Sequence, residues 1–171
     1  MLCAVKGDPI SVAEAKTSME TMLKNANDEQ RVPDLRCCLQ GSFHKIGDEL
    51  FQSNFQLESE IPKFLLYAQL HDTTGAVNAK VWTPALTSMM QMTASEIHDK
   101  WQACDTDEGK TEFLRLLNRI SESKFLCSIK LNIWKGEEAY RVDVNVSRAL
   151  LTACLRSPNC QRRPIMIHPR I

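Results

Sequence analysis

Residues 64–82, "FLLYAQLHDTTGAVNAKVW", alternate apolar and polar side chains on either side of one short polar break. In an extended chain Phe64, Leu66, Ala68 and Leu70 share one face, and Leu65, Tyr67, Gln69 and His71 share the other. Asp72, Thr73, Thr74 and Gly75 form the turn, with the glycine supplying the positive φ that tight hairpins favour. Val77, Ala79 and Val81 then resume the buried face, leaving Asn78, Lys80 and Trp82 opposite. The stretch predicts a half-buried β-hairpin that carries a large ring on its polar side.

A second hairpin of the same kind follows downstream. Phe125, Cys127, Ile129, Leu131 and Ile133 alternate with Leu126, Ser128, Lys130, Asn132 and Trp134. "KGEE" turns the chain, and Tyr140, Val142, Val144 and Val146 alternate with Arg141, Asp143 and Asn145. Between the hairpins, Thr83 before Pro84 predicts a helix N-cap and a helix through "ALTSMMQMTASEIHDKW". After the acidic break "DTDEGK", residues 111–120 carry Phe113, Leu114, Leu116, Leu117 and Ile120 at helical spacing.

The flanks add less regular elements. "SVAE" at residues 11–14 has the reciprocal capping pattern, and Val12, Ala15, Met19, Met22 and Leu23 continue an N-terminal helix that "KNANDEQRVPD" stops. "LRCCLQGSF", residues 35–43, reads as a first strand with Gly41 at a bend, and residues 44–63 as an inserted hairpin or irregular excursion. Ser147 is placed to cap a last helix, "RALLTACLR", ahead of a basic tail with Arg156, Arg162, Arg163, His168 and Arg170. That tail is expected to be solvated, with phosphate contact as the alternative.

Bulk properties restrict the class. With 171 residues and no Gly-, Ser- or Pro-rich linker, one buried core is expected; 43% hydrophobic and 25% charged residues suit a soluble globular chain. Lys plus Arg and Asp plus Glu are 21 each, so any affinity for phosphate must come from local placement of charge. No apolar run approaches the roughly 20 residues that span a bilayer. Seven cysteines, an odd number, suit a reducing compartment better than a disulfide framework.

The order strand, excursion, hairpin with D-x-T-G, helices, hairpin and C-terminal helix resembles the C-terminal OB-fold domain of the replication protein A large subunit. Pro62-Lys63-Phe64 leading into "LLYAQLHDTTG", then "AKVW", "FLCSIKLNI" and "AYRVDVNV" carry the resemblance, over residues 34–157. It implies a mainly β fold with helical insertions: a five-stranded OB-fold barrel with an N-terminal helix, helices between strands 3 and 4, and a C-terminal helix. Residues 1–33 would be a helical extension, 34–157 the OB-fold domain and 158–171 a basic tail. It also implies single-stranded DNA as ligand, with RNA left open, and other OB-fold subunits as partners. Leu150, Leu151 and Leu155 of the last helix would make the subunit contact. The family's zinc ribbon between the first two strands is degenerate here: Cys37-Cys38 precede "LFQSNF" with no second cysteine pair, so neither metal nor other cofactor is expected.

The outward positions of the four hairpin strands supply the candidate ligand residues. Tyr67, Gln69, Asn78, Lys80, Trp82, Lys130, Asn132, Trp134, Lys135 and Arg141, with Ser128 beside them, mix rings and cations. A base stacked on an aromatic ring contributes about 1 to 3 kcal/mol while a cation meets the phosphate. The competing expectation is that Trp82 and Trp134 are packed beneath the inserted helices. Leu86, Met89, Met90 and Ile97 read as core or partner surface. The four histidines are scattered, no phosphate-binding Gly loop or G-x-S-x-G turn occurs, and Cys127 lies on an apolar face, so no enzyme is predicted. The expected function is a nuclear single-stranded DNA-binding module (cytoplasmic in a prokaryote) working in a complex in replication, repair, recombination or telomere maintenance. The alternative is an OB-fold interaction scaffold with little nucleic-acid binding.

Overall fold

The computed structural model describes residues 8–29, 31, 33–47, 50–52 and 63–154. Its strands are β1 (Leu35–His44), β2 (Leu50–Gln52), β3 (Phe64–Asp72), β4 (Gly75–Trp82), β5 (Ser123–Lys135) and β6 (Tyr140–Cys154). Its helices are α1 (Val12–Asn27), α2 (Thr83–Met90), α3 (Ala94–Gln102) and α4 (Asp107–Ser121), with a 3-10 turn at Ala103–Asp105.

The strands form one mixed sheet in the order β1-β5-β6-β4-β3-β2. β1 also pairs with β3, so the pairings β1-β5-β6-β4-β3-β1 run in a ring of five strands. Every pairing is antiparallel except β4 with β6, which meet in parallel at Lys80 and Val81. β2 continues the edge of β3 where β1 leaves it, opposite Phe64, Leu65 and Leu66. Gly41 sits at the ring's seam, where a Cβ would stand 2.5 Å from the His71 carbonyl oxygen. Only a residue without a side chain lets β1 come this close to β3.

The alternation predicted for both hairpins sets the core. Phe64, Leu66, Leu70, Val81, Phe125, Cys127, Ile129, Leu131 and Val146 are buried inward, together with Leu39 and Phe43 of β1. Each large side chain removed from water contributes about 1.5 to 3 kcal/mol. Leu86 and Ile97 from α2 and α3, and Phe113, Leu117 and Ile120 from α4, join the same cluster, so the helical stripe read from the sequence is core.

α1 packs on this core through Val12, Ala15 and Met22, and the chain before it bridges β1, with the Ile10 N–H donating to the Cys38 carbonyl at 2.8 Å. Its capping box is formed: Ser11 Oγ accepts from Glu14 N–H, and the Glu14 carboxylate accepts from Ser11 N–H. The Asp72-x-Thr74-Gly75 turn secures the same helix end. Asp72 Oδ1 accepts from the N–H groups of Thr74 and Gly75 and from the Thr74 hydroxyl, while its Oδ2 accepts from Val12 N–H at 2.8 Å. Thr74 Oγ1 accepts from Ala13 N–H at 3.0 Å. Burial alone would raise the Asp72 pKa, but these hydrogen bonds outweigh it and hold the carboxyl below its ordinary value.

Three helical expectations are corrected. The single helix from Thr83 is two, because Gln91 turns left-handed (φ 53°) and Thr93 with Glu96 forms a second capping box. α4 begins inside the acidic break, at Asp107, capped by Thr106 Oγ1 accepting from Gly109 N–H. The helix expected from Ser147 is strand: β6 runs on to Cys154, paired with β5. Ser147 is the extra residue of a bulge between Val146 opposite Ile129 and Arg148 opposite Ser128, and its hydroxyl donates to the Ser128 carbonyl at 3.3 Å. Leu151 consequently packs against the core, and Leu150 lies opposite Leu126, half-buried; Leu155 and the basic tail lie outside the described residues.

Candidate nucleic-acid interface

Cross-strand register decides which outward side chains are neighbours. Arg36 on β1 faces Lys130 on β5, Lys130 faces Asn145 on β6, Asn145 faces Lys80 on β4, and Lys80 faces Tyr67 on β3. These five residues form one row that follows the outer side of the ring of strands from β1 to β3. Flanking it, Trp82 lies opposite Leu65, Gln69 opposite Asn78, Asn132 opposite Asp143 and Trp134 opposite Arg141. The outward residues singled out in the sequence therefore lie on the outer side of the strands, neighbour beside neighbour. Lys135, at the end of β5 beside the turn, is exposed.

The rings stand out of this surface. Tyr67, Trp82 and Trp134 are 44%, 37% and 54% exposed. Burial under the inserted helices, the competing expectation for Trp82 and Trp134, describes the third tryptophan instead: Trp101 of α3 packs against Phe113 of α4 at 5.5 Å between ring centroids.

Trp82 is held in place. Its indole N–H donates to Asn145 Oδ1 at 2.8 Å, and the Asn145 amide donates to Asn132 Oδ1 at 3.1 Å and to the Lys130 carbonyl at 3.5 Å. Arg141, opposite Trp134, lies four residues from Asn145 on β6, about 13 Å at the rise of a strand. The two indoles thus occupy separate stations along the face, with amides and cations between them.

The cations are not all available. Lys80 Nζ meets Asp143 Oδ2 at 2.8 Å, Arg141 Nε lies 3.8 Å from Asp143 Oδ1, and Lys130 Nζ meets Asp34 at 3.1 Å. The Lys80 and Asp143 side chains are 24% and 12% exposed, while Arg141 is 69% exposed. Asp143, Asn145, Arg36 and Asp34 were not among the candidates read from the sequence. Parity on β6 already placed Asp143 and Asn145 outward; their partners depend on register between distant segments, which parity does not give.

Cys37 packs against the core and adjacent Cys38 is buried on the opposite side of the strand, so the two thiols cannot share a tetrahedral ion. Among the described residues no three His, Cys, Asp or Glu side chains gather closely enough to hold a metal. Burial, with a smaller contribution from Cys38, pushes the Cys127 thiol up to about 12, so it stays protonated at neutral pH and is a poor nucleophile. At the seam the His44 and His71 rings lie 3.6 Å apart, and burial, then His44, lower the His71 pKa against the opposing pull of Asp72.

No protein-family model matches the sequence, and no curated protein matches it. Solved structures do match in shape. A chain of a replication protein A heterotrimer bound to single-stranded DNA superposes with a TM-score of 0.62 at 13% identity, over 85% of this chain and 36% of that one. A chain of yeast replication protein A bound to single-stranded DNA superposes with a TM-score of 0.53 at 13% identity, over 84% of this chain and 87% of that one. This chain therefore spans about a third of the length of the first. It has an OB-fold-like architecture of the kind found in replication protein A. No helix among the described residues is long and apolar enough to cross a membrane.

Proposed function

We propose that this chain is a non-enzymatic OB-fold module that binds single-stranded DNA along the outer face of β3, β4, β6 and β5. Trp82 and Trp134 are its stacking platforms, with Tyr67 beside them, and Lys80, Lys130, Lys135, Arg36 and Arg141 meet the phosphates. The observation that carries this reading is the exposure of three large rings on the outer side of β3, β4 and β5, interleaved with cations. In OB-folds oligonucleotides lie on the face of the second and third strands, here β3 and β4 with Tyr67, Lys80 and Trp82, and against the loops between the first two and the last two strands, the latter here the β5–β6 turn beside Trp134. A closed five-stranded barrel, work in replication, repair, recombination or telomere maintenance, a nuclear location, and assembly with other OB-fold subunits belong to the same reading.

A second reading has its own support. Asp143 and Asp34 pair with Lys80 and Lys130, and the whole chain carries no net charge, as suits an OB-fold scaffold that no longer binds nucleic acid. Fluorescence anisotropy with a labelled oligothymidine at two salt concentrations separates the two. The single-strand binder gives saturable binding that weakens as salt rises; no binding at micromolar protein gives the case to the scaffold.

A further inference from the structure

The centre of the face is occupied by its own anion. Asp143 lies between two cations, 2.8 Å from Lys80 Nζ and 3.8 Å from Arg141 Nε, and it is more buried than either. The positions are fixed by register and not by flexible reach: Asp143 stands opposite Asn132 on β5, and Lys80 faces Asn145, two residues along β6 from Asp143. Partly buried between strands, Lys80 is held to one partner, and a phosphate that approaches it meets a cation already neutralised. Arg141 differs, since it is largely exposed and its distance to Asp143 exceeds that of a hydrogen bond, so it leaves the carboxylate easily.

We propose that Asp143 is an internal competitor for the phosphates of the bound strand: it holds Lys80, and more loosely Arg141, until a strand displaces it. This rests on the reading of the face as a single-strand interface and adds its regulation. The carboxylate keeps affinity moderate and makes engagement of the central cation an exchange of one anion for another. It also explains how a half-buried lysine is tolerated without ligand, since removing its partner would leave an unpaired charge. A face of this kind binds weakly at any one site and releases readily, which suits a module that acts within a larger assembly of binding sites.

The test compares full-length wild type, Asp143→Asn and Asp143→Asn/Lys80→Gln, each titrated with a labelled oligothymidine over a salt series and melted in parallel. Asp143→Thr, which retains a strand-favouring side chain, is the second variant should the asparagine form fail to fold. The expected result is binding tighter by roughly two- to fivefold, the cost of opening a partly exposed ion pair. The slope of log affinity against log salt should steepen by about 0.7 for each cation released to the strand. Adding Lys80→Gln should cancel both gains. A folded Asp143 variant that binds no more tightly than wild type, with an unchanged slope, overturns the proposal while leaving the interface standing. If neither wild type nor the variant binds at micromolar protein, the interface reading fails and the competitor with it.

Discussion

Asp72, in the β3–β4 turn, and Asp143, on β6, are both partly buried carboxylates on hairpins, and they are engaged in opposite ways. Asp72 accepts hydrogen bonds from three backbone N–H groups and a hydroxyl, none of which can leave without unfolding the turn or the start of α1. Among the described residues Asp143 holds side-chain cations alone. The difference separates architecture from function. An acid bonded to backbone fixes a fold, whereas an acid bonded to side-chain cations can be exchanged for a ligand.

That contrast is open to attack at several points. Asp72→Ala should have the largest effect, a loss of about 3 kcal/mol in urea unfolding, since several donors to one charged acceptor are orphaned together. The Asp72 pKa is depressed in the folded state, so its stabilising contribution is complete above the ordinary aspartate value of 3.8 and is lost as pH falls through the lower folded value. The stability gap between wild type and Asp72→Asn should therefore narrow below about pH 4. A gap that stays constant into acid would mean that shape, and not charge, holds the turn. Gly41→Ala comes next, at about 2 kcal/mol, because the new methyl must push β1 away from the His71 carbonyl at the seam. A neutral substitution there would show that the ring of pairings closes more loosely than described.

On the outer face the effects should fall on binding instead. Asn145→Ala removes the acceptor that steadies the Trp82 indole, and should weaken oligothymidine binding by about 1 kcal/mol through lost preorganisation, with little change in the melt. Should the melt fall and the affinity hold, Asn145 would belong with Asp72 on the architectural side of the comparison.

How much of this was legible in the sequence follows from the range of the interactions. The two hairpins and the start of α1 were, because alternation and a capping box act over a few residues. The end of β6 was not: inward Val142, Val144 and Val146 keep a spacing of two, but the bulge at Ser147 makes the next inward residue Ala149, and that step of three imitates a helix. Residues 123–128 of β5 supply a strand partner, and tertiary pairing overrides the helical propensity of Ala and Leu. The break between α2 and α3 did leave a trace, the Thr93–Glu96 capping box, inside a stretch read as one helix. For the interface, strand parity selected the outward rings and cations, but Lys80 and Asp143 meet across 63 positions of sequence. No local pattern announces such a pair. The D-x-T-G stretch was read as a turn, and its second task, holding the N-terminus of α1, likewise depends on residues about sixty positions away.

The central claim is that exposed indoles on the sheet face are stacking platforms for a single strand. Its most direct test is the Trp82→Ala/Trp134→Ala variant, titrated with a labelled oligothymidine and melted alongside wild type. At about 1 to 3 kcal/mol per stacked base, affinity should fall on the order of a hundredfold while the melting temperature stays near that of wild type. Unchanged affinity in a folded variant, or a collapsed melt, would contradict it.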